Sequence, residues 1–383
     1  MHASRLSVLF AAVLVASAAA QTVLTVGPGG FPTISSALAV AQPGAIVEIA
    51  PGQYPAFSCN VGVTLRASNP GTVNIDLVTG GPHPSTGLSV QFAAPAGQTI
   101  HVVGLRFMLP AVGTQFSPQP ELFVGSDAVF EDCTLYAVSP NGFANGSLRV
   151  GSAAVVHLQN VTSQGPLLLV EGRATASQCA FTGALSFTFA AATAVIYGTL
   201  HASNSVFVGG SSNYTGGREA VYVDATGQLF ATDCTIQHGT ILPVSACAVV
   251  NYGMARLVRV ASNTPACLPA PAASGLGARR AGPVVRGGTF AVDYRTEPFV
   301  PLGVHLSHAL ASVPLPFTTQ PWGAPLGGSF EVAFGLTNAG GQASFGFAIP
   351  NIPALAGLPV WLHGWSGWTF PLDVAPPVGG LVR

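Results

Sequence analysis

The chain has 383 residues, only 7% of them charged; its 13 basic residues are all arginine and its formal net charge is -1. Without lysine there is no Schiff-base or lysine general-base chemistry, and with no basic cluster beyond Arg279-Arg280 nothing draws the chain to nucleic acid or an anionic lipid surface. The 46 glycines and 31 prolines punctuate short apolar runs rich in Val, Thr and Phe, a composition that points to an all-β fold.

The chain opens with His2 and Arg5, an apolar run from Leu6 to Val15, and Ala18-Ala19-Ala20 before Gln21. This reads as a secretory signal peptide over residues 1–20 with an A-x-A cleavage site, too short to span a bilayer. The expected protein is exported (extracellular, cell-surface or periplasmic), with no integral membrane segment after cleavage. The remaining 363 residues (383 minus 20) exceed one ordinary core and predict two domains.

From Thr33 to Ala41 the apolar residues Ile34, Ala37, Leu38 and Ala41 fall at helical spacing, and Pro43-Gly44 ends the pattern. A repeat follows. Glycines close short apolar strands at Gly97, Gly125, Gly151, Gly172, Gly198, Gly227 and Gly253, in steps of 28, 26, 21, 26, 29 and 26 residues. Behind each comes a second anchor, in order Leu105, Cys133, Val161, Cys179, Ser205, Cys234 and Val260. Five residues before the anchors stand Ile100, Ala128, Val156, Ala174, Leu200, Leu229 and Ala255; two after stand Phe107, Leu135, Phe181, Phe207 and Ile236. Both sets are expected inside. Asp132, Asn160, Gln178, Asn204 and Asp233 directly precede their anchors, as in a tight bend whose polar groups hydrogen-bond from rung to rung. Strand, glycine turn, strand, polar bend, strand and loop make a coil of about 26 residues, and stacked coils close their backbone hydrogen bonds except at the ends.

The stretch from Gly30-Phe31-Pro32-Thr33-Ile34 through Pro51-Gly52-Gln53-Tyr54 resembles the opening segment of pectin lyase-like β-helix proteins. The resemblance implies a right-handed parallel β-helix over residues 21–268 with an N-terminal capping helix. It does not fix an activity, because that fold hosts lyases, hydrolases, esterases and non-enzymes. Residues 269–283 read as a linker, and residues 284–383, with strands at Thr289–Tyr294, Val304–Leu306, Ser329–Phe334, Ala343–Ala348 and Pro359–Leu362, as a small C-terminal β-sandwich. It resembles the β modules attached to many exported bacterial proteins.

Six cysteines in an exported chain suggest disulfides. Cys133, Cys179 and Cys234, however, share one inward position on alternate coils, about 9 to 10 Å apart, beyond a disulfide's reach of about 7 Å. They are expected reduced. Cys247 and Cys267 are candidates to staple the last coil, and Cys59 has no evident partner.

In the carbohydrate enzymes the resemblance places the groove on the strand before the glycine turn. The last outward positions of that strand are expected to be Arg149, Glu171, Tyr197, Asp224 and Tyr252. Glu171 and Asp224, two coils apart at about 9 to 10 Å, lie near the upper end of the about 6.5 to 9.5 Å used by inverting glycosidases, with Tyr197 between them. They are the candidate catalytic pair, one carboxylic acid protonating a leaving oxygen and the other activating water. Against this stand the ordinary polarity of outward strand ends and the absence of enzyme signatures: no cluster of three acids, no Asp-Asp, and Ala56 where pectin methylesterases carry a glutamate. Two further ligand surfaces are the loop of Tyr214, Arg218 and Glu219 with His238, and the segment of Trp361, His363 and Trp365, whose alternation puts them on one strand face as core or sugar platform. No metal site, cofactor or phosphate-binding loop is read, and a monomer is expected.

The reading favoured is an exported, non-catalytic, surface or carbohydrate-contacting β-helix protein whose partner is a polysaccharide or cell-surface glycan. The alternatives are a polysaccharide hydrolase or lyase acting through Glu171 and Asp224, and a purely structural or adhesive protein.

Overall fold

A computed structural model describes residues 22–383 apart from 78–87, 111–120, 139–145, 184, 187–191, 213–215, 218, 240–246, 265–267, 270–271, 273, 311–312, 314, 320–321 and 325–326. The signal-peptide expectation therefore lies outside the described residues. The chain divides into two compact units, Thr22–Pro271 and Ala272–Arg383.

In the first unit the strands stack into three long parallel sheets, one of ten strands and two of eight. One coil shows the rule. Glu121–Val124 belongs to the second sheet, Ala128–Glu131 to the first and Thr134–Val138 to the third, and each pairs in parallel with its counterparts one coil before and after. This is the arrangement of a parallel β-helix. The inward rows are those the repeat marks. Ala128, Val156, Ala174, Leu200 and Leu229 lie in register on the first sheet and are buried. Leu135, Ser163, Phe181, Phe207 and Ile236 do so on the third. Ser163 explains the gap in the apolar row: its hydroxyl bonds the Pro166 carbonyl at 3.5 Å, so this coil fills the position with a satisfied polar group.

The polar bend is present at each coil. Asp132, Asn160, Gln178, Asn204 and Asp233 all have φ between 48° and 55°, the left-handed region that short polar side chains tolerate better than most. Asn160 Nδ2 donates to Asp132 Oδ1 at 2.8 Å, and Arg259, itself at φ 50°, ends the ladder with an ion pair to Asp233 at 2.6 Å.

Cys133, Cys179 and Cys234 are free and buried, as is Cys59. The first three donate S–H bonds of 3.3–3.4 Å to backbone carbonyls, among them those of Glu131, Ser177 and Thr232, and burial pushes each thiol up to about 12. Cys247 is disulfide-bonded; Cys267 lies outside the described residues. The helical stretch is shorter than its sequence pattern, Ile34–Leu38, started by a capping box between Thr33 and Ser36, with Ile34 and Ala37 buried in the β-helix core.

The second unit holds two antiparallel sheets. One joins Gly277–Arg280, Thr289–Arg295 and Gln342–Ala348; the other joins Ser329–Leu336, Pro301–Ser307, Pro359–Ser366, Asp373–Val374 and Val378–Leu381. Residues of both sheets share one core, including Phe290, Val292, Leu302, Val304, Val360 and Leu362. The structure corrects the linker expectation for 269–283. Gly277–Arg280 is a strand paired with Thr289–Arg295; Ala278 is buried, and Arg280 Nη1 donates to the Gly379 carbonyl at 2.7 Å. Four residues flanked by glycine and proline are too short for alternation to stand out in sequence.

Candidate functional site

The outer face of the second sheet carries the candidate residues, and strand register decides which of them are neighbours. One row runs Gln91, Phe123, Arg149, Leu169, Val195, Tyr222 and Val250. The paired residues Val150, Val170, Ile196, Val223 and Asn251 come next, facing inward except at the end, so the following outward row begins at Gly151 and continues Glu171, Tyr197, Asp224 and Tyr252. Its backbone amides confirm the order: those of Glu171, Tyr197, Asp224 and Tyr252 each donate to the coil before.

Arg149 is thus not in the row of Glu171, as the sequence reading had it, but one outward position earlier. The cause is the glycine turn, which is not a constant ruler. Four residues separate consecutive strands at Val150 and Val155 and again at Val223 and Gln228, but only two at Val170 and Arg173, at Ile196 and Thr199, and at Asn251 and Met254. The glycine also shifts within the turn, opening it at Gly151 and closing it at Gly227, so the residue before Gly151 already lies inside the strand and Arg149 falls one outward position early.

The side chains form two groups. In the earlier coils Arg149 bridges two carboxylates, at 2.8 Å to Glu171 on the following coil and 3.9 Å to Glu121 on the preceding one, with its guanidinium 5.7 Å from the Phe123 ring. The hydrogen bond to Glu171 raises the Arg149 pKa. Burial raises that of Glu121, which also accepts from Ser147 at 3.2 Å, and the nearby Glu171 charge adds to the rise. Glu121 and Phe123 were missed in the sequence; an acid four residues before a repeat glycine, on a strand of alternating apolar residues, was the available signal.

In the later coils Tyr222 and Tyr252 meet at 5.7 Å between ring centroids, tilted 53°. Tyr252 is 68% exposed and Tyr197 45%. Partial desolvation raises the Tyr222 pKa, and the charges of Asp224, Tyr252, Tyr197 and Glu219 add to the rise. The turn beneath them is tight. A Cβ at Gly253 would lie 2.3 Å from the Asp224 carbonyl oxygen, and Thr226 Oγ1 donates to the Tyr197 carbonyl at 3.0 Å. Tyr222 is not among the residues that the sequence singled out.

The structure brings together Arg149 with Glu171 and Tyr222 with Tyr252, and it sets Tyr197, Asp224 and Tyr252 on successive coils of one outward row. Of the expected catalytic pair, Glu171 is ion-paired at 2.8 Å with Arg149 of the preceding coil, and Asp224 lies two coils farther along its row. His238 is buried, with its ring nitrogen bonded to the neighbouring Gly239 carbonyl and its amide to Asn263 Oδ1 at 3.0 Å, so it is no loop ligand. Tyr214 and Arg218 lie outside the described residues. Trp361 and Trp365 do share a strand face with His363, opposite the one that carries Val360 and Leu362. Trp361 is 1% exposed and offers no platform, whereas Trp365 is half-buried over Gly303, 6.0 Å from Phe334. No group of three potential metal ligands occurs among the described residues, and no helix among them is long and apolar enough to cross a membrane.

Compared with protein-family models, with curated proteins and with solved structures, the chain matches none of them.

Proposed function

We propose that the protein is an exported right-handed parallel β-helix of the pectin lyase-like kind, carrying a C-terminal β-sandwich, that contacts a polysaccharide or surface glycan without cleaving it. The observation that carries this reading is the tyrosine group on one sheet face, the exposed Tyr197 and Tyr252 with the half-buried Tyr222, and Asp224 between the first two on the same outward row. Aromatic rings offer flat apolar faces to sugar rings while their hydroxyls and the adjacent carboxylates take the sugar hydroxyls as hydrogen-bond partners. Against turnover stands the engagement of Glu171 by Arg149, which occupies one member of the carboxylate pair that inverting hydrolysis would need free.

The test is to incubate the purified chain with a panel of insoluble polysaccharides and assay retention together with new reducing ends and unsaturated products. Retention without products is expected, weakened about tenfold in Tyr222→Ala/Tyr252→Ala, the scale of one lost stacking contact. Products that disappear in Glu171→Gln or Asp224→Asn would establish an enzyme instead, and no retention on any glycan would favour a structural role.

A further inference from the structure

We infer that this face selects glycans without carboxylates, binding those with free amino groups best and rejecting polyuronates. The inference rests on the glycan-contacting reading above and names its ligand class. The starting point is charge. The outward rows carry the carboxylates Glu121, Glu171 and Asp224 against the guanidinium of Arg149, and Glu219 adds a further acid beside Tyr222.

A polyuronate presents one carboxylate per sugar, and recognition of such a chain needs free guanidinium or ammonium donors along its path. Arg149 cannot serve, because Glu171 at 2.8 Å and Glu121 at 3.9 Å already neutralise it. The chain has no lysine, and among the described residues these outward rows hold no other arginine to replace it. Farther along the same face, Asp224 stands between Tyr197 and Tyr252 on successive coils, and Tyr252 meets Tyr222 at 5.7 Å. A ring face attracts a cation and the carboxylate beside it pairs with one, so an ammonium-bearing sugar gains at the place where a uronate is repelled. The spacing also favours a chain ligand. Successive coils repeat at about 4.8 Å, so a polymer lying along the β-helix axis meets the ionic group and the tyrosine group in turn.

The experiment compares retention of the full chain on insoluble chitosan, on its fully N-acetylated form and on crosslinked polygalacturonate, at physiological salt so that diffuse attraction is screened. The wild type should be held on chitosan, more weakly on the acetylated polymer, and not on polygalacturonate. Asp224→Asn should reduce chitosan retention about tenfold, the loss expected for one charge-assisted contact, and retention on the acetylated polymer by a smaller factor. Glu121→Gln/Glu171→Gln frees Arg149 and should bring measurable retention on polygalacturonate. Wild-type retention on polygalacturonate equal to that on chitosan, still lost in Tyr222→Ala/Tyr252→Ala, would overturn this inference and leave the glycan-contacting reading standing. Equal retention on the two chitin-derived polymers, insensitive to Asp224→Asn, would also overturn it. Failure to bind all three would sink both.

Discussion

The interior rows of the β-helix and the outer face of its second sheet are made by alternate residues of the same strands, yet they obey different rules. Leu168 and Val170 point inward, where each must fit the residue one coil above and below; Leu167, Leu169 and then Glu171 point outward, where neighbours need only tolerate one another. Inside, identity changes little from rung to rung because volume and stacking are shared. Outside, the row changes from Phe123 and Arg149 through Leu169 and Val195 to Tyr222 within six coils. In a stack of coils chemistry is therefore placed on outward rows, and replacing an inward residue should damage the fold while replacing an outward one should change only binding.

The largest expected effect is inside. Phe207 is fully buried and stacks on Phe181 at 5.1 Å and 14°, so Phe207→Ala should cost about 3–5 kcal/mol. Denaturant unfolding measures this, with reaction of the buried thiols Cys59, Cys133, Cys179 and Cys234 as a second probe that should appear at lower denaturant than in the wild type. A loss below about 1 kcal/mol would mean that the rungs do not share one core.

Acid should act next, through outward residues of the first sheet that are nevertheless desolvated. Burial lowers His101 to about 4 and His157 to about 3, with His101 and His201 adding to the shift of His157. A histidine with a depressed native pKa is neutral in both states above the unfolded value of about 6.5 and imposes no penalty there. As pH falls below about 6.5 the unfolded chain takes up protons that the native state refuses, so stability drops progressively until the native groups titrate near pH 3–4. The melting temperature should fall over that window, and His101→Gln/His157→Gln should flatten the decline.

Smaller effects separate the bend from the open face. Asn160→Ala loses the bond to Asp132 and forces alanine to a positive φ, so about 1–2 kcal/mol should be lost, whereas Asn160→Gly should lose less because glycine adopts that backbone freely. Glu171→Gln, which breaks an ion pair of half-exposed partners, should change stability by under about 1 kcal/mol. Unfolding curves for these variants rank the bend against the face. If Glu171→Gln proved as costly as Asn160→Ala, the division between architectural and ligand-facing positions would fail.

How much was legible in sequence follows the same division. The all-β class, the inward rows, the polar bends and the buried thiols were readable because a repeating structure writes one constraint many times, and the recurrence at Cys133, Cys179 and Cys234 survives changes in turn length. Arg149 was placed in the wrong row because the repeat glycine opens one four-residue turn, at Gly151, and closes another, at Gly227, and no local pattern marks which. Tyr222 and Glu121 were passed over because their partners on the neighbouring coils lie 26 to 33 positions away in sequence.

What the amino-acid sequence determined alone was therefore periodic: which residues are buried, where the chain must bend, and that no lysine or basic cluster serves the surface. What only the tertiary structure decided was adjacency. The Glu121–Arg149–Glu171 bridge, the tyrosine group around Asp224, the strand Gly277–Arg280 and the burial of Trp361 all depend on cross-strand register. Register is set by backbone hydrogen bonds between distant segments, whereas burial follows the two-residue alternation of a single strand.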